Sequence, residues 1–130
     1  MIAIDTNVLV RLMVGDDPAQ ARRARALVEK SDVFVCTSVL LEAEWVLCSA
    51  YDFAPTAISA AFRGFLGLPN VTVESPGAIG RALDGYDSGV DFADALHLAC
   101  SHAANVFYTF DRRLARAGRI GGARVQVVPR

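Results

Sequence analysis

Five acidic residues of this 130-residue chain stand where carboxylates can do chemistry: Asp5, Glu42, Asp91, Asp94 and Asp111. Asp5 closes an apolar run at the amino terminus, and Asp111 follows Thr109 and Phe110 at the end of another. Glu42 falls in the first two turns of a helical stretch, while Asp91 and Asp94, at i and i+3, share one face at the start of a second. Carboxylates brought within a few ångströms of each other repel, so some would carry a proton near neutral pH unless a cation neutralised them. A hard divalent ion with oxygen ligands, Mg2+ or Mn2+, neutralises them while keeping several waters and sharing phosphate oxygens with a substrate. Such an ion lowers the pKa of a bound water and stabilises charge developing on a phosphodiester, so no histidine base is needed.

Each residue also has a plain structural reading. Asp5 could cap a helix beginning at Thr6, and Asp111 a helix holding Arg112, Arg113 and Arg116. Asp91 with Asp94 three residues on reads as an acidic variant of the capping box. Glu42 shares an otherwise apolar helix with Glu44, and periodicity does not decide which of the two faces inward. The arginines 112, 113, 116 and 119 read as a solvated helix face, with contact to a phosphate backbone as the functional alternative. His97 reads as a packed or hydrogen-bonded helix residue.

The elements that must position these groups alternate along the chain. Short β-branched runs at residues 1–5, 32–36, 71–74, 105–109 and 124–128 read as strands. Between them, residues 6–13, 18–30, 38–51, 55–67, 76–86, 92–104 and 112–117 read as helices. Asp17 before Pro18, Thr37, and Ser75 before Pro76 are expected caps. This alternation predicts an α/β fold, a single domain with a doubly wound, mainly parallel β-sheet flanked by helices. Open α/β sheets bind ligands outside the carboxyl ends of their strands, which predicts that Asp5, Glu42 and Asp111 converge on one edge.

Composition narrows the function classes. With 53% hydrophobic and 21% charged residues, and a mean hydropathy of +0.33, the chain is too apolar to be disordered. Its apolar runs are broken well before the roughly 20 residues that a membrane span needs, and its first residues lack a signal-peptide pattern. No membrane association and a cytoplasmic location are therefore expected. The three cysteines, Cys36, Cys48 and Cys100, are scattered and expected to be buried small hydrophobes rather than disulfides or zinc ligands. His97, Cys100 and His102 do not share one helix face, so they make no soft-metal site. A net charge of −1 argues against a broad basic surface. Masking the carboxylates with metal would turn the balance positive, nearly all of it arginine, the side chain best shaped for phosphate.

The ordered motifs, taken together, resemble a known family. Asp5-Thr-Asn-Val-Leu-Val-Arg11, Ser38-Val-Leu-Leu-Glu42 with Trp45-Val-Leu47, Asp91-Phe-Ala-Asp94-Ala-Leu-His-Leu-Ala99 and Thr109-Phe-Asp111-Arg112 are similar to those of PIN-domain proteins, most closely VapC-type toxins of bacterial toxin–antitoxin pairs. The resemblance runs the full length of the chain. It implies a Mg2+- or Mn2+-dependent endoribonuclease with Asp5, Glu42, Asp94 and Asp111 as catalytic carboxylates and Asp5 and Asp94 as direct metal ligands. It selects Glu42 over Glu44, although the family usually has an apolar residue where Glu44 stands. Thr6, Asn7 and Thr109 are implied as supporting hydrogen bonders and Asp91 as an accessory carboxylate. Apart from the resemblance, Arg112 and Arg116 are the expected contacts if arginines around Asp111 position the RNA backbone. The implied partners are an RNA substrate, a cognate antitoxin and a second copy of the chain. The products would carry a 5′-phosphate and a 3′-hydroxyl.

Rival readings fit less well. A receiver domain needs an acidic pair after its first strand and a lysine after its last, and Lys30 is the only lysine. An Asp-x-Asp phosphatase would have a carboxylate where Asn7 stands, and a flap-type DNA nuclease needs helical insertions this chain has no room for. The non-enzymatic alternative is a PIN-like interaction module that binds a partner protein or RNA without cutting. Finally, Trp45, Tyr51, Phe53, Phe62 and Phe65 exceed what one small domain buries easily, so some are expected at a dimer interface or in a groove for an antitoxin helix.

Overall fold

Among the described residues, β-branched side chains supply most of the five strands, and every strand pairing is parallel, as the alternation of strands with helices requires. The computed structural model describes residues 1–117 and 123–130, so Arg119 lies outside the described residues. Two compact units divide the chain, Met1–Glu74 and Ser75–Arg130.

The first unit holds β1 (Ile2–Ala3), α1 (Thr6–Met13), α2 (Pro18–Glu29), β2 (Val33–Val35), α3 (Thr37–Ser49), α4 (Pro55–Leu66) and β3 (Val71–Val73). β2 lies between β1 and β3, with Ala3 beside Phe34 and Val35 beside Val73. α1 packs on α2 and α3, and α4 on α3 and β3. The buried positions repeat at helical spacing, Ala21, Ala24 and Val28 on α2 and Leu40, Ala43 and Leu47 on α3, so each helix presents one apolar stripe. Ile58 and Phe62 of α4 complete this core, and full burial of each such side chain contributes about 1.5–3 kcal/mol.

The second unit holds α5 (Pro76–Asp87), α6 (Phe92–Cys100), β4 (Val106–Thr109), α7 (Arg112–Arg116) and β5 (Arg124–Val127). α5 and α6 pack against each other, with Tyr86 and Phe92 edge to face at 5.2 Å. The chain turns between them at Gly89, whose φ of +97° only glycine adopts without strain. β4 pairs with β5, and Leu98, Leu114 and Val125 form a buried cluster that ties α6, α7 and β5 together.

Among the described residues, the seven helices and five strands fall where the pattern predicts them, with differences at their ends. α6 stops at Cys100, four residues early, where the Ser101 hydroxyl donates to the His97 carbonyl and ends the ladder. α3 ends at Ser49, whose hydroxyl bonds back to the Trp45 carbonyl. Of the expected caps, Asp17 accepts the Gln20 N–H, but Cys36 rather than Thr37 holds the capping position of α3, and Ser75 caps α5 without a side-chain bond. The cysteines are not buried: Cys48 and Cys100 are exposed and Cys36 is half-buried. His97, expected to be packed or hydrogen-bonded, is exposed. Of the surplus aromatics, Phe62 is buried, Tyr51, Phe53 and Phe65 are half-buried, and Trp45 is 67% exposed.

Candidate active site

In the first unit, the parallel register of β1 and β2 sends the chain out of both strands at the same end, which brings the start of α1 to the start of α3. There Asp5, Thr6, Asn7, Ser38, Val39 and Glu42 line a pocket of about 350 Å³. Asp5 Oδ1 accepts the Val8 N–H at 3.0 Å and so caps α1. Thr6, directly after it, is buried. Ser38 and Glu42, one turn apart, share the pocket face of α3, and Glu44 is not in its lining.

A second pocket, of about 370 Å³, lies within the second unit, where the loop from Ser88 to Val90 and the starts of α6 and α7 surround Asp91, Asp94, Asp111 and Arg113. Asp91 Oδ1 accepts the Asp94 N–H at 3.1 Å. Asp111 Oδ1 accepts the Arg113 and Leu114 N–H groups at 2.8 and 3.2 Å, while Thr109 Oγ1 accepts the Asp111 N–H at 3.0 Å and holds that corner of the chain.

The plain reading of Asp5, Asp91 and Asp111 as caps is therefore realised, and it does not compete with chemistry. In each, Oδ1 takes the helix N–H groups, while Oδ2 receives no hydrogen bond among the described residues. The cap fixes the carboxylate's direction and the helix dipole favours its charge, which leaves one oriented anionic oxygen. Asp94 differs. It sits in the first turn of α6 and caps nothing. Burial pushes its carboxyl above the usual range, the charges of Asp91 and Asp111 push the same way, and His97 offsets them only in part.

This set suits a hard cation. Its donors are all oxygens, like charges crowd Asp94, and a positive ion would relieve both the crowding and the burial of charge. Among the described residues no group of three or more His, Cys, Asp or Glu forms a ready-made cage. Mg2+ does not require one, since it is usually held by one or two carboxylates with waters and substrate phosphate completing the shell.

The structure thus brings Asp5 together with Glu42, Thr6 and Asn7, and Asp94 together with Asp91 and Asp111, with Thr109 behind Asp111. Arg112 and Arg116 line neither pocket. Arg113, which is not one of the two arginines expected to contact RNA, lines the second, and among the described residues it forms no ion pair. A larger groove in the first unit, about 580 Å³, contains no carboxylate; Val8, Ala24, Ala26 and Leu27 make its apolar wall, with Arg11, Arg23 and Lys30 around it. No helix among the described residues is long and apolar enough to cross a membrane.

Comparison with known proteins gives one family. The model of the PIN domain matches residues 2–120, which spans both units. PIN domains are in general a metal-dependent nuclease fold. A search of curated proteins finds no match.

Proposed function

Because the chain belongs to the PIN-domain family, we propose that it is a Mg2+- or Mn2+-dependent endoribonuclease, acting through Asp5, Glu42, Asp94 and Asp111, and the toxin of a toxin–antitoxin pair. The observation that carries the reading is Asp94, a half-buried carboxylate crowded by Asp91 and Asp111, which a divalent ion would stabilise in its charged form. A nucleic-acid-binding module without catalysis has no use for such a residue, since crowded negative charge repels the phosphate backbone.

Asp5 and Asp94 are the proposed metal ligands. The ion, when bound, supplies an activated water and positive charge toward the phosphodiester. The chain's own groups do the rest. Asp111, oriented by two helix N–H groups and Thr109, and Asp91, oriented by the Asp94 N–H, present fixed oxygens that can hold waters or a proton. Glu42 lines the first-unit pocket beside Ser38 and Asn7, where it can accept from a water. Arg113 gives the second pocket a cation for the substrate phosphate. Replacing Arg113 with Ala should therefore weaken RNA binding about tenfold or more and flatten its salt dependence by roughly 0.7 in log K against log salt. Arg112→Ala and Arg116→Ala should do less. Filter binding at several salt concentrations checks this, and equal effects for all three would return Arg113 to the solvated face.

The partner assignments are proposals of the same kind. Trp45 at 67% exposure supports a second copy of the chain against α3, and the apolar groove of α1 and α2 supports an antitoxin helix. The test is to purify the chain alone and with the product of any small adjacent reading frame, measuring mass and RNA cleavage. A chain that stays monomeric at micromolar concentration and is uninhibited by that neighbour refutes the dimer and the toxin role, while leaving the nuclease reading in place.

A further inference from the structure

α3 carries Ser38 and Glu42 into the first-unit pocket, yet its own sequence gives it no cap. Cys36 holds the capping position without a side-chain bond to a helix N–H, and Thr37 is the first helical residue. The first N–H groups of a helix have no partner within it, so the Thr37 N–H must find one elsewhere. Its partner is Glu74, the residue after β3. Because Val35 pairs with Val73 in parallel register, the residues that follow the two strands leave side by side. Glu74 Oε1 accepts the Thr37 N–H at 3.1 Å and the Cys36 thiol at 3.4 Å. The same sulfur lies 3.2 Å from Ser38 Oγ. These bonds hold the Glu74 carboxyl below its ordinary range, so it stays ionised as an acceptor.

Glu74 does not line the pocket. We infer that Glu74 is a positioning residue for the nuclease reaction: by anchoring the start of α3 from the neighbouring strand, and Ser38 through Cys36, it sets the direction in which Ser38 and Glu42 enter the pocket. This rests on the nuclease reading for its effect on rate, but not for its effect on structure.

The prediction turns on acceptor geometry. Glu74→Gln keeps an oxygen that accepts both bonds, whereas Glu74→Ala leaves the Thr37 N–H and the Cys36 thiol without it. Partners that orient a reacting group typically contribute about 10–100-fold to activity. With Mg2+ and RNA, Glu74→Ala should lower kcat by about tenfold or more with KM nearly unchanged, and Glu74→Gln should stay close to wild type. In a Glu42→Gln background, Glu74→Ala should cost little further, because both changes remove the same contribution. Amide exchange gives a readout independent of catalysis: the Thr37 N–H should lose protection in Glu74→Ala and keep it in Glu74→Gln, with the Ser38 and Glu42 amide shifts moving only in the former. Full kcat in Glu74→Ala, equal losses in Ala and Gln, or an undiminished Glu74→Ala loss in the Glu42→Gln background would each overturn the assignment. If the wild-type chain cuts no RNA, the nuclease reading fails by itself. The exchange data then decide the anchoring, and unchanged Thr37 protection in Glu74→Ala overturns it.

Discussion

Asp94→Asn is expected to slow RNA cleavage severely and, in chelator at neutral pH, to make the protein more heat-resistant than the wild type. Both results follow from one cause. Asp94 is held charged against burial and against the charges of Asp91 and Asp111, and its carboxyl is displaced upward. A carboxyl whose folded pKa is raised favours the native state below its unfolded pKa, and that contribution is lost as pH rises through the folded value. At neutral pH without metal the charged Asp94 is therefore a burden, and Asn, nearly the same shape and uncharged, removes it. The difference in melting temperature should shrink as pH falls and Asp94 gains its proton. A divalent ion reverses the balance, because it needs the charge that the apo protein tolerates poorly. With metal contributing several kcal/mol to the transition state, loss of a ligand should cost on the order of 10²–10³-fold in kcat/KM. Protons compete with the ion for Asp94, so apparent Mg2+ affinity should begin to fall at a higher pH than an ordinary aspartate would give. Calorimetric melting with and without Mg2+, from acid to neutral pH, checks all three signs. An Asp94→Asn protein less stable than wild type in chelator would show that the carboxylate is structural.

Asp5 should separate its two roles under substitution. Asp5→Asn keeps an oxygen for the Val8 N–H, so α1 stays capped while the charge is lost. Asp5→Ala loses both. Cleavage should fall on the order of 10²–10³-fold in both variants, but only Asp5→Ala should lose stability, by about 0.5–2 kcal/mol as for other lost caps. Denaturant midpoints paired with cleavage rates test this. If Asp5→Asn cuts RNA as fast as wild type, Asp5 is a cap and no more.

The same duality explains what could and could not be read from the sequence. The elements were legible because strand and helix periods alternate cleanly, and strand-end residues such as Asp5 and Asp111 drew attention by position alone. Yet Asp5, Asp91 and Asp111 cap their helices through Oδ1 and keep Oδ2 without a hydrogen bond among the described residues, whereas Asp94 caps nothing. Cap against chemistry is therefore a false choice at three of these positions. Glu42 and Glu44 could not be ranked by periodicity, because α3 is apolar on most of its surface; pocket lining separates them. Arg113 was hidden among neighbouring arginines, since which of them reaches a pocket depends on how α7 starts from the Asp111 cap. Glu74 left no local signal. Its role comes from the β2–β3 register, which joins residues 37 positions apart. The exposure of Cys48 and Cys100 is not legible in the sequence, because a small, scattered thiol has the composition of a core residue whichever way its helix turns it.

The most direct test of the central claim is to incubate the purified chain with a defined RNA pool, with Mg2+ or Mn2+ and with excess chelator, and to map the new ends. The account predicts internal cuts leaving 5′-phosphates and 3′-hydroxyls only when the ion is present, surviving His97→Ala and severely slowed in Asp5→Asn and Asp94→Asn. Undiminished cutting in chelator, or by the two Asn variants, would contradict it, as would intact RNA from a folded wild-type protein supplied with either ion.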